Sequence, residues 1–437
     1  MKKTANNRAV ENEADALLKR LFPICRSISG NGVRETLREL QKYAPVRMCE
    51  VPTGTKVFDW TIPREWNISD AYIKDPSGKK IVDFKENNLH VVGYSTPVHT
   101  KVKLAELKKR LYSIPEKPSL IPYRTSYYNP DWGFCISHEQ LLALKEGTYE
   151  AVIDSTLTDG SLTYGELLIS GKTKDEVLIS TYICHPSMAN DNLSGPVLAT
   201  LLARELAKEK KLRYSYRFLF VPETIGAIVW LSKNRARVHR IRHGLVATCV
   251  GDDGAFTYKK TRDGNAEIDR IVAHVLAHAS RPHRIVDFFP SGSDERQYSS
   301  PGFNLPIGSL MRSMYDTFPE YHTSADNLDF VNGRNIAETL ELYRRVIFVL
   351  ERNERYKNTN PYGEPQLSKR GLYSLLGAQS PDVSERALQW VLNFSDGRHS
   401  LLDIAERSGI DFETIHTTSR ALRAHKLLAP VQKKGAR

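Results

Sequence analysis

The chain has 437 residues, of which 41% are hydrophobic, 26% charged and 9% aromatic, a globular balance that excludes a disordered chain, a collagen-like repeat and a small disulfide scaffold. Its 62 basic and 51 acidic residues leave a net charge of +11; spread along the chain, that charge permits weak attraction to polyanions but names no partner. Cys25, Cys49, Cys135, Cys184 and Cys249 are odd in number and never spaced Cys-x-x-Cys, no stretch approaches the ~20 apolar residues of a membrane span, and the basic start lacks the apolar core of a secretory signal; reduced thiols in a cytoplasm are expected.

Two or three domains are expected at roughly 100–200 residues each. Val10, Ala14, Leu17, Leu18 and Leu21 predict a helix over Ala9–Phe22, and Val33–Tyr43 a second amphipathic helix after the loop Arg26-Ser-Ile-Ser-Gly-Asn-Gly. From about Val51 to about Cys135 the chain changes texture. Trp60, Trp66, the run Leu89–Tyr94, several prolines and Tyr127, Tyr128 and Trp132 read as short strands broken by turns, a β-rich module over 51–149. Its aromatic residues either line a sugar- or peptide-binding edge or build the module's core, and a small domain's need for aromatic filling favours the core.

Strands then alternate with helices. The apolar runs Glu176–Ile183, Tyr216–Val221 and Leu245–Val250 are each a candidate buried strand; helices from Ser194 to about Lys208 and from Glu223 through Trp230 follow the first two, and a long helix over Asn335–Arg352 closes this part. After the polar stretch Asn353–Gln366 comes a small helical unit within 365–437. It has a helix over Ser384–Phe394, a capping-box start at Ser400-Leu-Leu-Asp403, a turn at Ser408-Gly409 and a last helix capped by Asp411. Arg420, Arg423, Lys426, Lys433, Lys434 and Arg437 give it basic character for nucleic acid, while Asp396, Asp403, Glu406, Asp411 and Glu413 offset that charge and favour a packing or dimer-contact role.

The densest chemistry is Cys184-His-Pro-Ser-Met-Ala-Asn-Asp-Asn-Leu-Ser-Gly195, where a buried strand ends and a helix begins, the usual place for a site in an open α/β sheet. Glu223, Gly251-Asp252-Asp253-Gly254 and Tyr321-His322 follow at later strand ends or loops. Imidazoles and carboxylates converging there suit one or two Zn²⁺ ions.

These residues resemble the zinc aminopeptidase family that includes bacterial leucyl aminopeptidases, glutamate carboxypeptidase and glutaminyl cyclase. The shared elements are the Asp-Asn-x-Ser-Gly loop, an acidic residue after the next strand, an Asp after the third, a Ser-Asp segment and Tyr-His-Thr. More closely, Ile183–Gly195, Ser291-Gly-Ser-Asp-Glu-Arg-Gln-Tyr298, Glu320–Asn327 and Tyr127–Cys135 resemble a bacterial aminopeptidase-like group with an inserted β-domain and a C-terminal winged helix.

The resemblance implies an α/β, mixed-sheet zinc-peptidase-like domain of phosphorylase/hydrolase type over 1–50 and 150–355. It implies metal binding by His185 and His322, a bridge by Asp191, and Asp252 beside His322 with Asp253 as the alternative. Where the family has two glutamates this chain has Pro222-Glu223-Thr224, so Glu223 is either the general base, with Thr224 replacing a ligand, or a ligand itself; we favour the base. The implied reaction is attack of a zinc-activated water on an amide or peptide bond of a small substrate, with Tyr321 or a second metal supporting the oxyanion. Arg296 and Arg312 are candidates for clamping a substrate carboxylate, and Asp294 or Glu295 for meeting an amine, against the alternative of an internal ion-pair network. Relatives of the group are associated with surface-polysaccharide biosynthesis, which adds an N-acyl hydrolase acting on a modified sugar or amino acid as a rival. A catalytically dead scaffold or DNA-binding protein is the other rival, and homo-oligomerisation is possible.

Overall fold

A computed structural model describes residues 2–370, 372 and 385–431. The chain divides into two compact units, Met1–Ile268 with Pro282–Glu341, and Asp269–Arg281 with Leu342–Arg437.

The first unit is built on an eight-stranded mixed sheet of β1 (Arg47–Pro52), β2 (Ser161–Ile169), β3 (Glu176–Tyr182), β4 (Ser215–Val221), β5 (Ile241–Val246), β6 (Phe256–Lys259), β7 (His283–Val286) and β8 (Ile307–Met311), in the order β1-β2-β4-β3-β5-β8-β6-β7. The centre, β4-β3-β5-β8, is parallel, and antiparallel pairs extend it on both sides. β3 and β4 are buried along their whole length, which is why they read as continuous apolar runs rather than alternating ones. The third run is displaced from its expected place: β5 ends at Val246, and Ala247, Cys249 and Val250 are apolar because they are a buried loop beyond the strand end.

Helices α1 (Lys2–Leu21), α2 (Asn31–Gln41), α3 (Ser194–Leu206), α4 (Ile225–Asn234), α5 (Glu267–Ala277), α6 (Glu295–Tyr298) and α7 (Gly333–Arg352) follow in chain order. Helix α3 is buried on nearly every face. Its Gly195 permits this: a Cβ there would lie 2.4 Å from both the Ala247 carbonyl oxygen and Thr181 Oγ1. The inserted β-rich region has its own four-stranded antiparallel sheet, in the order Lys80–Asp83, Glu65–Lys74, Thr148–Thr158, Val98–Lys103. Thr148–Thr158 carries that sheet beyond residue 149, and β2 returns the chain to the main sheet. Trp66 is 4% exposed and donates Nε1–H to the Ser95 carbonyl, so it is core; Trp60 and Tyr128, at 37% and 45%, meet edge to face at the surface.

In the second unit, α8 (Glu385–Phe394), α9 (Leu401–Ser408) and α10 (Phe412–Ala424) join a three-stranded antiparallel sheet, with Arg355–Asn358 between Asp396–Ser400 and Leu428–Pro430. Ser400 and Asp403 form the expected capping box, Gly409 ends α9 at φ +67°, and Asp411 caps α10 by accepting the Glu413 N–H. Ser384 and the basic tail Lys433, Lys434 and Arg437 lie outside the described residues.

Candidate metal centre

The parallel arrangement of β3, β4 and β5 brings their C-terminal ends side by side, so the loops after them share one region. Each loop leaves its strand with a non-glycine residue in the left-handed region: Ser187 at φ +41°, Thr224 at +64° and Cys249 at +49°. His322, from the late loop, is at +53°. Such conformations cost of order 1–3 kcal/mol each and concentrate where a fold fixes functional groups.

His185, Asp191 and His322 come together there, each offering a ligand atom within 4.8 Å of the others. Asp191 Oδ2 is 2.9 Å from His322 Nε2, and Asp191 Oδ1 is 3.6 Å from His185 Nδ1. The other ring nitrogen of His185 is 3.4 Å from Glu223 Oε2. Asp191 thus stands between two imidazoles, and Glu223 flanks His185 on the other side.

The loop is held from several directions. Asp326 is wholly buried, and its carboxylate accepts the Asn190 and Asp191 N–H groups at 2.6 and 2.9 Å. Burial raises its pKa to about 7, with those N–H bonds opposing the shift. Asn192 Oδ1 accepts the Gly195 N–H at the start of α3, and Ser194 Oγ accepts that of Val250. Buried Arg26 donates Nε–H to the His185 carbonyl and Nη1–H to that of Leu21. Tyr182 donates its hydroxyl to Asp191 and pairs with Thr248 at 2.7 Å. Burial pushes the Asp191 carboxyl up, but the two imidazoles, His185 first, more than offset this and hold it well below the carboxylate range. The group is therefore set up as an anion between nitrogen donors.

Aromatic rings close around it. Tyr321 stacks on His322 with centroids 3.9 Å apart, and Tyr123, from the inserted region, lies 5.1 Å from both His185 and His322. Tyr123 is placed by its N–H, which donates to the His322 carbonyl, and by a bridge between Pro122 and Thr323. Tyr123, Tyr182, Asp326 and Arg26 are site residues that the sequence reading did not single out. Only Asp326 had a signal, its place at the end of the Tyr-His-Thr-Ser-Ala-Asp loop.

The remaining candidates are placed elsewhere. Asp252 is buried but accepts from Gly254 N–H at 3.1 Å and from the Ser313 hydroxyl, and it is outside the three-residue group; Asp253 is exposed. Glu295 and Arg312 occupy internal ion pairs rather than a substrate-facing surface. Glu295 meets Lys259 at 2.7 Å with both side chains wholly buried, and buried Arg312 meets Glu338 at 3.2 Å, the Asn335 carbonyl and Thr339. Asp294 and Arg296 instead reach the Thr224 turn, at 2.7 Å each.

The mixed sheet and its strand-end loops are similar in fold to solved aminopeptidases. The Bacillus subtilis zinc aminopeptidase superposes with a TM-score of 0.56 at 13% identity over 79% of this chain and 95% of that one. A peptidase M28 precursor from Shewanella amazonensis gives 0.52 at 15% identity over 80% and 97%. At these identities the likeness shows the fold alone.

Residues 15–353 match the family described as a domain of unknown function (DUF4910), and the chain belongs to that family; residues 354–430 match a winged helix-turn-helix. A relative from Clostridium acetobutylicum, named for polysaccharide biosynthesis and an aminopeptidase-like domain, is 53% identical over 97% of this chain and 98% of its own length. A crystal structure from the same organism, titled as that of a peptidase, is 52% identical with a TM-score of 0.93, covering 98% and 99% of the two chains.

Proposed function

We propose that this chain is a metal-dependent hydrolase of the aminopeptidase type, acting on an amide or peptide bond of a small substrate. The observation that carries this reading is the trio of buried His185 and Asp191 with partly exposed His322, beyond the C-terminal ends of the parallel central strands. Asp191 Oδ2 and His322 Nε2 are buried 2.9 Å apart without forming a well-aligned hydrogen bond, and neither has any other hydrogen-bond partner. Such atoms carry a desolvation cost that a cation between them would remove. Two imidazoles and a carboxylate are a zinc donor set.

Zinc bound there would supply Lewis acidity toward a carbonyl oxygen and activate a water molecule. The chain's own residues would do the rest. His185, Asp191 and His322 would hold the metal, and Tyr182, Arg26 and Asp326 brace these residues through hydrogen bonds. Glu223, partly exposed beside His185, would accept a proton from the attacking water and return it to the leaving amine. Tyr321 and Tyr123, packed against His322, would shield the site from bulk water, and the Tyr321 hydroxyl would support a developing oxyanion.

The donor group lacks Asp252, which favours a site poorer in carboxylates than the two-zinc pattern. The reading is tested by zinc affinity of the variants His185→Ala, Asp191→Ala and His322→Ala. Each is expected to weaken binding by at least the roughly 10–100-fold that losing even an outer partner of a ligand costs. Full affinity in all three would overturn it. In Glu223→Gln, retention of zinc with loss of hydrolysis would make Glu223 the base, and loss of zinc would make it a ligand.

A second reading on the same site is hydrolysis of an N-acyl group from a modified sugar. The naming of the Clostridium relative for polysaccharide biosynthesis favours it. It predicts turnover of N-acylated sugars with none of aminoacyl amides.

A further inference from the structure

The Ser-Gly-Ser-Asp-Glu-Arg-Gln-Tyr segment at 291–298 has no contact among the described hydrogen bonds with His185, Asp191 or His322, yet it reaches the Glu223 turn from two of its residues. That turn is a strained one. Thr224 has φ +64° and ψ −74°, and the Ile225 N–H donates to the Glu223 carbonyl at 2.8 Å, the three-residue γ-turn whose positive-φ form is rare and unfavourable for a residue with a Cβ. β4 ends at Val221 and α4 starts at Ile225, two residues after Glu223, with the Glu223 carboxylate 3.4 Å from His185 Nε2.

Something must hold such a turn. Asp294 is fully buried, and its Oδ1 accepts the Thr224 N–H at 2.7 Å; Arg296 donates Nη2–H to Thr224 Oγ1 at 2.7 Å. The intervening residue faces another way and anchors the segment to the sheet. Glu295 accepts from Lys259 of β6 at 2.7 Å, from Ser309 of β8 at 3.0 Å and from Tyr315 at 3.1 Å, and Tyr298 pairs its hydroxyl with Ser180 of β3 at 2.7 Å. Three consecutive residues therefore do two jobs: the middle one fixes α6 to the sheet, and its neighbours grip the N–H and the hydroxyl of Thr224.

We infer that Asp294 and Arg296 are positioning residues, which latch the strained Thr224 turn and through it set the place of the Glu223 carboxylate beside the His185–Asp191–His322 group. This rests on the metallohydrolase reading for its use, though not for its geometry. It assigns these two residues to Glu223 rather than to a substrate's termini.

The test compares the full-length protein with Asp294→Ala, Asp294→Asn and the double variant Asp294→Ala/Thr224→Gly, by crystal structures without metal and by zinc affinity from competition with a chromophoric chelator. Asparagine keeps the Oδ1 acceptor, and glycine adopts a positive φ without a latch because it has no Cβ. In Asp294→Ala, Thr224 is expected to relax to negative φ and Glu223 to leave His185, and zinc affinity to fall about tenfold because His185 loses an outer carboxylate partner. Asparagine, and glycine in the alanine background, should each return Glu223 to its place and restore most of the affinity. A merely structural role for the buried carboxyl would not be rescued by a change at Thr224.

Glu223 staying beside His185 in Asp294→Ala, or failing to return in the double variant, would overturn the inference. If Asp294→Ala does not fold, Arg296→Met tests the second grip, with a smaller shift of Glu223 expected and an unmoved turn contradicting it. Absence of zinc binding in the wild type would defeat the metallohydrolase reading, while the crystallographic position of Glu223 would still decide the latch.

Discussion

Asp191 shows how much of the site is built from groups that sequence motifs do not mark. Its carboxylate is held by a buried tyrosine hydroxyl, its own N–H by Asp326, and the carbonyl of its partner His185 by a buried guanidinium. Tyr182→Phe removes the hydroxyl and leaves a buried carboxylate oxygen short of a donor. The expected loss is about 1–3 kcal/mol of stability in metal-free protein, read by chemical denaturation; no change would mean that Asp191 finds another donor. His185 and Glu223 were singled out because they closely follow apolar runs, and Asp191 and His322 because they stand in the Asp-Asn-x-Ser-Gly and Tyr-His-Thr elements. Tyr182 and Arg26 were not, because a polar residue inside or near a core segment announces no partner. For Glu295 and Arg312 the sequence left a substrate clamp and an internal ion-pair network open, and the structure has the internal pairs. Only the sheet brings Lys259 beside Glu295.

Among elements, length and burial governed what the sequence disclosed. β3 and β4 were readable as short apolar runs, and the long helix α7 by its period. β5 was misplaced because apolarity continues past the strand into the loop beneath the site, where burial rather than pairing demands it. The extension of the parallel centre by antiparallel β1 and β2 carries no local signal, since register with distant strands decides it.

Within the second unit, α5 and α10 are joined by a titratable contact: His274 Nε2 accepts the Phe412 N–H at 3.1 Å. Burial, then His278, lowers the His274 pKa from 6.5 to about 4. Below 6.5 the unfolded chain binds the proton that folded His274 refuses, so stability falls as pH drops from 6.5 toward 4, by about 3 kcal/mol at most. Calorimetry of the full chain between pH 7 and 4.5 should show this transition moving down, with a shallower pH slope in His274→Gln. An equal slope in that variant would remove His274 as the cause.

For the molecule as a whole, the sequence disclosed the order of its parts: an α/β chain interrupted by a β-rich insertion and followed by a winged helix. It did not disclose that the insertion contributes Tyr123 to the candidate centre, because the bridge from Pro122 to Thr323 joins residues far apart in the chain. Among the described residues no helix is long and apolar enough to cross a membrane. The winged helix has Arg423 over the Tyr356 ring and Arg407 over Phe394, so part of its basic charge is already engaged within the unit. We expect the full chain to show no binding to a duplex tighter than the ~10⁻⁶ M of non-specific contacts at physiological salt. A tighter, sequence-dependent complex in a gel-shift titration would make this unit a DNA reader instead.

The central claim is that His185, Asp191 and His322 hold a catalytic metal. Metal content per chain, measured by mass spectrometry on protein purified without chelator and supplied with zinc, tests it most directly when the His322→Ala variant is measured alongside. The account predicts one or two zinc ions per chain in the wild type and a clear loss in the variant. Zinc-free wild-type protein, or a variant that retains the full complement, would contradict it.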